Sequence, residues 1–163
     1  MTREEYADIL LPGIKNDTEY YENLYPERHL NDGAIVTRYA PSPTGFIHIG
    51  NLLQTFISNK MAKQTGGVFF LRIEDTDQKR EVENGVQKMI ADLAKFNITF
   101  DEGVAKGADK GLYGPYTQSQ RKEIYQAYAK KLIIENKAYP CFCSEEENAK
   151  DKELQEAQKE RIG

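Results

Sequence analysis

The chain has 163 residues, of which 39% are hydrophobic and 29% charged, so it is long enough to bury a core and has the ordinary composition of a globular protein. No apolar run approaches the roughly 20 residues that cross a bilayer, and the acidic start is not typical of a secretory leader, so we expect a cytoplasmic protein without a membrane partner. The formal net charge of -4 comes largely from residues 144–163, which carry seven acids and four bases, and the rest of the chain is nearly neutral. A broad basic surface is thus excluded, and any contact with nucleic acid must be local or lie on other parts of a longer protein.

Residues 1–32 are predicted to form a helical extension in front of the main domain. Tyrosines and aliphatic residues recur at roughly helical spacing on both sides of Pro12-Gly13, which predicts two short helices. Asp17 or Thr18 is the candidate N-cap of the second helix. We interpret the tyrosines as packing residues, and a surface for a partner is the alternative.

Residues 33–51, with the sequence GAIVTRYAPSPTGFIHIGN, predict a strand, a rigid turn and the start of a helix. The apolar run 34–36 is typical of a buried strand, and the loop that follows is rich in proline and glycine. A helix that begins there directs its first N–H groups and the positive end of its dipole at one point, which is how proteins hold phosphate. Because Arg38 and His48 stand at the two ends of the loop, we predict a nucleotide site.

The chain after this loop predicts a helix over 51–65, ended by a pair of glycines, and a second buried strand over 68–71. A strand, a helix and a strand of this length form a right-handed crossover with parallel strands, and ligands bind beyond the carboxyl ends of such strands. Arg38 is then expected beside Glu74. The apolar face of this amphipathic helix consists of Leu53, Ile57 and Met61, with Phe56 beside them.

Two blocks of this sequence resemble class I glutamyl-tRNA synthetases. Residues 38–45 read RYAPSPTG and 48–51 read HIGN, which is similar to the HIGH motif of that family with Asn in place of the last His. Residues 71–77 read LRIEDTD and resemble the second block of the family. The glutamyl branch is favoured because the sister glutaminyl enzymes usually differ at Ala40, Ser42, Thr44 and residues 74–77.

The resemblance implies an α/β fold, in which residues 33–140 form the first half of a Rossmann-like nucleotide-binding domain, a parallel sheet with flanking helices. Residues 141–163 would begin the insertion that binds the tRNA acceptor stem. We find no KMSKS-like loop, second half-domain or anticodon-binding domain. The sequence is therefore expected to be a portion of a longer enzyme, holding half an active site and showing little aminoacylation alone.

The implied activity is that of an ATP-dependent, AMP-forming glutamate–tRNA ligase, with ATP and Mg²⁺ as cofactors and L-glutamate and tRNA(Glu) as partners of a monomer. The glutamate α-carboxylate attacks the α-phosphate of ATP, and a terminal ribose hydroxyl of the tRNA then takes the glutamyl group. Two alternatives stay open. One is a small nucleotidyltransferase of the HIGH superfamily, and the other is a synthetase-like paralogue that modifies or binds tRNA.

The resemblance also implies roles for individual residues. In the glutamate pocket, formed by Arg38, Ala40, Ser42 and Glu74, Arg38 would pair a substrate carboxylate and Glu74 would meet the ammonium. The catalytic residues would be His48 and Gly50, the first donating to phosphate and the second leaving room for the nucleotide. The ATP-binding set is Pro43, Thr44, Gly45, His48, Gly50 and Asn51. Asp77 is assigned to the acceptor end of the tRNA.

The bland alternatives to these roles are structural. Arg38 and Glu74 would form only an ion pair across neighbouring strands, and His48 would only cap or pack against a helix. Residues 114–121, GPYTQSQR, resemble a third family block, in which Ser119 is a candidate helix cap. The polar residues of this block that are candidates for contact with nucleotide or tRNA are Tyr116, Gln118 and Arg121, and a capping loop without a ligand is the alternative.

Residues 82–96 carry an apolar stripe at helical spacing and predict a core helix. Near the end of the chain, Cys141 and Cys143 are interpreted as two reduced thiols on a strand. Half of a zinc site is the alternative, although the chain offers no second ligand pair and a tetrahedral site needs four ligands. Residues 144–161 predict a charged, solvated helix.

Overall fold

A computed structural model of the protein describes residues 1–43, 47–77 and 82–158. In these residues, β1, β2 and β3 form a sheet in that order, and both pairs of neighbours are parallel. The strands are β1 (Val36–Tyr39), β2 (Val68–Leu71) and β3 (Glu102–Gly103). The helices are α1 (Arg3–Leu10), α2 (Thr18–Leu24), α3 (Ile49–Thr65), α4 (Gly85–Ala94), α5 (Lys122–Ile134) and α6 (Glu145–Gln158). The predicted α/β class and the parallel crossover are confirmed.

Strand β1 begins two residues further along the chain than the apolar run predicts, and Tyr39 is its one buried residue. It forms one edge of the sheet in the described residues and pairs with β2 alone. Ile35 and Val36 are consequently 36% and 41% exposed, and the N–H of Ile35 bonds the side chain of Thr65 rather than a strand. The prediction of a buried strand at 34–36 is therefore wrong, because apolar composition does not separate edge strands from central ones.

Helix α3 covers the predicted segment and begins two residues earlier, at Ile49. Its buried residues are Thr55, Asn59 and Ala62, of which Thr55 bonds the carbonyl of Asn51 and Asn59 bonds the carbonyl of Thr99. Ala62 is small, and the polar groups of Thr55 and Asn59 are satisfied by backbone carbonyls, so this face of the helix can pack against the sheet. The predicted apolar face points away from it and is 42–58% exposed, at Leu53, Phe56, Ile57 and Met61.

Gly66 and Gly67 join α3 to β2. The first is required by its backbone conformation and the second by a close contact. Gly66 ends the helix in the left-handed conformation with a φ of 65°. A Cβ at Gly67 would stand 2.0 Å from the carbonyl oxygen of Ile35, so only glycine lets β2 begin beside the residue that precedes β1.

The core lies between the sheet and the two helices α3 and α4. Its buried members are Tyr39, Ala62, Phe69, Leu71, Ile73, Met89, Leu93 and Ile98. The helix predicted over 82–96 is shorter than expected, because α4 begins at Gly85 and ends at Ala94. Val82 and Phe96, at the ends of the predicted stripe, are 50% and 55% exposed.

The N-terminal extension forms the two predicted helices, and both contact α5. Asp17 caps α2 by accepting the N–H of Tyr20 at 2.9 Å. Tyr21 is buried with Ile124 and Ala127 of α5, so this part of the extension packs against the main domain. The boundary at residues 32/33 stays a prediction.

The last described helix, α6, has no buried residue, as expected for a charged helix. The hydroxyl of Ser144 accepts the N–H of Glu147, whose carboxylate accepts the N–H of Ser144 in return. The predicted helical residues after 158 lie outside the described part of the chain. Within that part, we find no helix with the length and apolar content needed to cross a bilayer.

Candidate functional site

A polar cleft of about 520 Å³ lies at the carboxyl end of β1, next to the start of α3. It is lined by residues from β1 and the following turn, from α3, and by one residue of α4. These are Arg38, Tyr39, Ala40, Pro41, Ser42, Ile47, His48, Asn51, Gln54, Ser58 and Met89. The cleft occupies the place where parallel α/β sheets bind ligands.

Arg38 and Glu74 stand beside each other at the ends of the two strands. Their Nη2 and Oε1 atoms are 4.0 Å apart, and the side chains are 41% and 35% exposed. Arg72 contacts the same carboxylate oxygen at 3.5 Å. The Nε of Arg72 is buried and has no hydrogen-bond partner among the described residues. Glu74 therefore faces two cations, neither in close contact, and a ligand ammonium can compete with both for its carboxylate.

Backbone hydrogen bonds continue the sheet pairing past the strand ends and fix this arrangement. The N–H of Arg72 donates to the carbonyl of Tyr39 at 3.0 Å, and the N–H of Glu74 donates to the carbonyl of Pro41 at 2.9 Å. The turn that carries Ala40 and Ser42 is thus tied to the segment that carries Glu74. The predicted pocket residues are brought together, and their roles toward glutamate stay predictions.

His48 is the N-cap residue of α3, but its side chain makes no capping hydrogen bond. The exposed ring lines the cleft, so the alternative of a capping histidine is not supported by the geometry. Gly50 is the second residue of α3, and a Cβ there would meet no heavy atom of the described residues within 4 Å. Packing among the described residues does not require glycine at this position. Asn51 lies one residue further on and also lines the cleft.

The other residues predicted to bind ATP or tRNA do not line the cleft or lie outside the described residues. Pro43 is buried, and its carbonyl accepts the N–H of Val82 at 3.0 Å, so it holds the loop rather than lining the cleft. Thr44 and Gly45 lie outside the described residues. Asp77 is half-buried shortly after β2. Its assignment to the tRNA stays a prediction.

Sequence reasoning did not select Gln54 and Ser58, which also line the cleft from α3. They follow Asn51 at intervals of three and four residues, which places all three on one helix face. The spacing of these three polar residues could have indicated a second face of α3 that meets a ligand. The prediction for this helix considered only its apolar residues.

The third block, residues 114–121, is a structural loop in the described protein. Tyr116 is only 2% exposed, Gln118 accepts the hydroxyl of Tyr125 at 2.7 Å, and Arg121 donates to the carbonyl of Pro115 at 2.8 Å. These contacts hold the block within the fold and favour the alternative without a ligand, although no side chain of the block caps a helix. Ser119 does not cap α5, because its N–H and hydroxyl both bond the carboxylate of Asp75.

Cys141 and Cys143 are exposed and lie in an irregular segment, so the predicted strand is wrong. The hydrogen bond with Cys141 is the main reason that the pKa of Cys143 is raised above its ordinary value. Among residues 1–43, 47–77 and 82–158, no three side chains of histidine, cysteine, aspartate or glutamate cluster as metal ligands.

A cleft between the end of a parallel strand and the start of the next helix is the usual ligand site of an α/β domain with a parallel sheet. The model of the family "tRNA synthetases class I (E and Q), catalytic domain" matches residues 34–162, and the chain belongs to this family. The family resemblance inferred from the two sequence blocks is therefore confirmed.

Similar proteins include the glutamate–tRNA ligases of Acetivibrio thermocellus and Clostridium beijerinckii. The first is 51% identical over 163 residues and the second 52% over 160 residues, which is 99% and 98% of this chain. The chain spans 29% of the length of each relative. A crystal structure of a glutamate tRNA ligase from Elizabethkingia meningosepticum, in complex with its amino acid, is 35% identical with a TM-score of 0.64. That match covers 77% of this chain and 24% of the other.

Proposed function

We propose that the protein acts in the ATP-dependent activation of glutamate and its transfer to tRNA, as a portion of a glutamate–tRNA ligase. The observation that carries this proposal is the pair of Arg38 and Glu74 at neighbouring strand ends, beside a polar cleft at the start of α3. The similar ligases support the choice of glutamate.

Glutamate recognition follows from the charges of this pair. The substrate carries an ammonium and two carboxylates, and Glu74 supplies an anion for the first. Arg38 supplies a planar fork with two parallel donors for a carboxylate, which a lysine would not provide. Because their mutual distance is 4.0 Å and both side chains are partly exposed, a ligand between them exchanges a weak ion pair for two direct ones. Ala40 and Ser42 form the adjoining wall of the pocket.

The activation step joins the glutamate α-carboxylate to the α-phosphate of ATP and releases pyrophosphate. His48 donates a hydrogen bond to the phosphates, where negative charge accumulates as the bond to pyrophosphate breaks. The nucleotide can approach the start of α3 closely because Gly50 has no Cβ and the space beside it is open in the described part of the chain. The first N–H groups of the helix then donate to its phosphates. Asn51 lines the cleft beside His48. We also assign Pro43, Thr44 and Gly45 to ATP binding, on the family motif alone. Catalysis is by positioning and charge stabilisation, without a covalent enzyme intermediate.

Mg²⁺ is the usual companion of ATP, but the described cleft does not offer it a protein site. Its lining contains no carboxylate, and the described residues contain no cluster of metal ligands. We therefore assign no residue of the described chain to the ion and expect ATP phosphates and water to hold it. Zinc likewise has no complete ligand set among these residues.

The second substrate is tRNA(Glu). Its terminal ribose hydroxyl attacks the glutamyl carbonyl of the adenylate, the bond between that carbonyl and the phosphate breaks, and AMP leaves with the hydroxyl proton released. Asp77 follows the strand end that carries Glu74, and we assign it to the acceptor end. The near-neutral charge outside residues 144–163 indicates that most phosphate contacts lie on other parts of the longer enzyme. We propose a cytoplasmic monomer.

Calorimetric titration with a non-hydrolysable glutamyl-adenylate analogue tests this proposal. Arg38→Ala and His48→Ala are each expected to weaken binding about tenfold or more, because each removes a charged or polar contact to the ligand. Lys137→Ala, which removes an exposed ion pair far along the chain, is the control and should change the affinity less than twofold. A folded chain that binds the analogue equally well after both cleft substitutions would contradict the proposal.

A further inference from the structure

The N-terminal extension is joined to the candidate site through a continuous set of contacts that passes through residues 113–119. The extension lies outside residues 34–162, which the family model matches. We propose that Arg28, at the end of this extension, is a positioning residue for the glutamate pocket and acts on Glu74 through that loop. The inference rests on the proposed function of the pocket.

The first link is between the extension and the loop. The hydroxyl of Tyr25 donates to the carbonyl of Gly114 at 2.5 Å, and the hydroxyl of Tyr113 donates to the carbonyl of Pro26 at 2.9 Å. The guanidinium of Arg28 lies 3.8 Å from the centre of the Tyr113 ring. The extension and the loop thus hold each other through backbone and ring contacts on both sides.

The second link is a half-buried polar group centred on Glu102. Arg28 donates both terminal nitrogens to its two carboxylate oxygens, and Tyr116 donates its hydroxyl to Oε2 at 2.7 Å. The side chains of Arg28 and Glu102 are only 19% and 15% exposed. A forked, shielded pair of this kind fixes orientation far better than an exposed ion pair. Arg28 therefore fixes Glu102, and Glu102 fixes Tyr116.

The third link is between the loop and the strand end that carries Glu74. The N–H of Ile73 donates to the carbonyl of Tyr116 at 2.9 Å, and the N–H of Gln118 donates back to the carbonyl of Ile73 at 2.8 Å. On the other side of Glu74, the carboxylate of Asp75 accepts the N–H and hydroxyl of Ser119. Both neighbours of Glu74 are held by the same loop, so a shift of the loop displaces its carboxylate relative to Arg38.

The test compares Arg28→Ala with Lys130→Ala in the 163-residue chain. Lys130 is the matched control because it also ties the extension to the domain, through Asp8, but contacts α1 and not the loop. In Arg28→Ala we expect amide exchange at Ile73 and Gln118, followed by NMR, to become about tenfold faster. In Lys130→Ala the same amides should stay within twofold of the original rates.

Ligand binding separates positioning from general loosening. Arg28→Ala should bind the glutamyl-adenylate analogue at least fivefold more weakly while its affinity for a non-hydrolysable ATP analogue stays within twofold. Arg28→Lys keeps the charge but loses the forked pair of donors. Its affinity for the glutamyl-adenylate analogue should lie between those of the original chain and Arg28→Ala. Tyr25→Phe removes only a hydroxyl and provides a milder variant, with the same direction of change, if Arg28→Ala does not fold.

The inference is overturned if amide exchange at Ile73 and Gln118 is unchanged, or if it rises without a loss of affinity for the adenylate analogue. An equal loss for both ligands would also overturn it, since that result indicates general destabilisation. An original chain that binds neither ligand would contradict the proposed function instead. The exchange measurement needs no ligand and would still decide whether the extension holds the Glu74 segment.

Discussion

At the scale of single residues, Glu74 makes only long ionic contacts within the protein, and we propose that its charge serves a ligand rather than stability. Its contacts with Arg38 and Arg72 are 4.0 and 3.5 Å long, and the Glu74 side chain is 35% exposed. Ion pairs of this kind contribute roughly 0–1 kcal/mol to folding. Replacing Glu74 should therefore affect ligand binding more than it affects the free energy of unfolding.

We predict that Glu74→Gln changes the free energy of unfolding by less than about 1 kcal/mol and weakens binding of the adenylate analogue about tenfold or more. Denaturant unfolding and calorimetry measure the two quantities on the same preparation. The isosteric Gln keeps the shape of the side chain and removes only its charge. Destabilisation well above 1 kcal/mol with unchanged affinity would show that Glu74 is a structural residue.

Glu102 is the opposite case, because its charge is committed to the fold. The hydrogen bond from Arg28 is the main cause that holds the pKa of Glu102 below its ordinary value of 4.5. The unfolded chain then takes up the proton at a higher pH than the folded chain. The contribution of Glu102 to stability is therefore complete above about pH 4.5 and is lost as the pH falls through the lowered pKa of the folded state.

We predict that Glu102→Gln is less stable than the original chain at pH 7 and that this difference narrows as the pH falls below about 4.5. Urea unfolding at several pH values between about 3 and 7 measures the difference. The control is Glu146→Gln, which removes one carboxylate from the exposed helix α6. A stability gap that stays constant over the whole range would contradict the assignment.

At the scale of elements, the two ends of α3 carry glycines for different reasons. Gly50 has helical geometry and open space around its Cβ position in the described structure, whereas Gly67 has the carbonyl of Ile35 in the way at 2.0 Å. The same change to alanine is therefore expected to have opposite effects on folding.

We predict that Gly50→Ala raises the free energy of unfolding by about 0.5 kcal/mol, because alanine loses less backbone entropy in a helix. The same variant should bind the ATP analogue several-fold more weakly, because the new methyl group occupies the approach of the nucleotide. Thermal unfolding and calorimetry measure the two effects. A stabilised variant with full affinity would remove Gly50 from the proposed site.

We predict that Gly67→Ala lowers the free energy of unfolding by about 2 kcal/mol or more, because either β2 or the segment before β1 must move. It is the matched control for Gly50→Ala, since the substitution is the same and Gly67 lies just beyond the other end of α3. A loss near zero would mean that the close approach at Ile35 is not required by the fold.

Helix α3 also shows which features the sequence predicts and which it does not. Its existence, its end at Gly66 and the parallel crossover follow from periodicity and turn chemistry, which are local properties. Its buried face does not, because Thr55 and Asn59 are buried through hydrogen bonds to distant or backbone partners that no periodicity records. The apolar residues Leu53 and Ile57 remain exposed on the opposite face.

The same distinction holds for the site. A family motif indicates Arg38, Ser42 and His48 in the sequence, and all three line one cleft in the structure. The network from Arg28 to Glu102 was not predicted, since it joins residues 74 positions apart in the chain. Only the folded chain brings such polar partners together.

At the scale of the whole molecule, the protein offers two contrasting clefts among its described residues. The polar cleft at the end of β1 measures about 520 Å³, and a mostly apolar one of about 430 Å³ lies between α4 and the segment after β3. The second cleft is lined by Ile90, Ala94, Phe100 and Val104, among others. We expect a ligand with phosphate, ammonium and carboxylate groups in the first, because the surface of the second is mostly apolar, although Lys106 and Lys110 also line it.

The most direct test of this account is an NMR titration of the isotope-labelled chain with the glutamyl-adenylate analogue. We predict that the largest amide shift changes fall at Arg38 and His48 in the polar cleft, at Gly50 in the first turn of α3, and at Glu74 on the adjoining strand end. Shift changes that concentrate instead at the apolar cleft around Ile90 and Phe100, with none at His48 or Glu74, would contradict it.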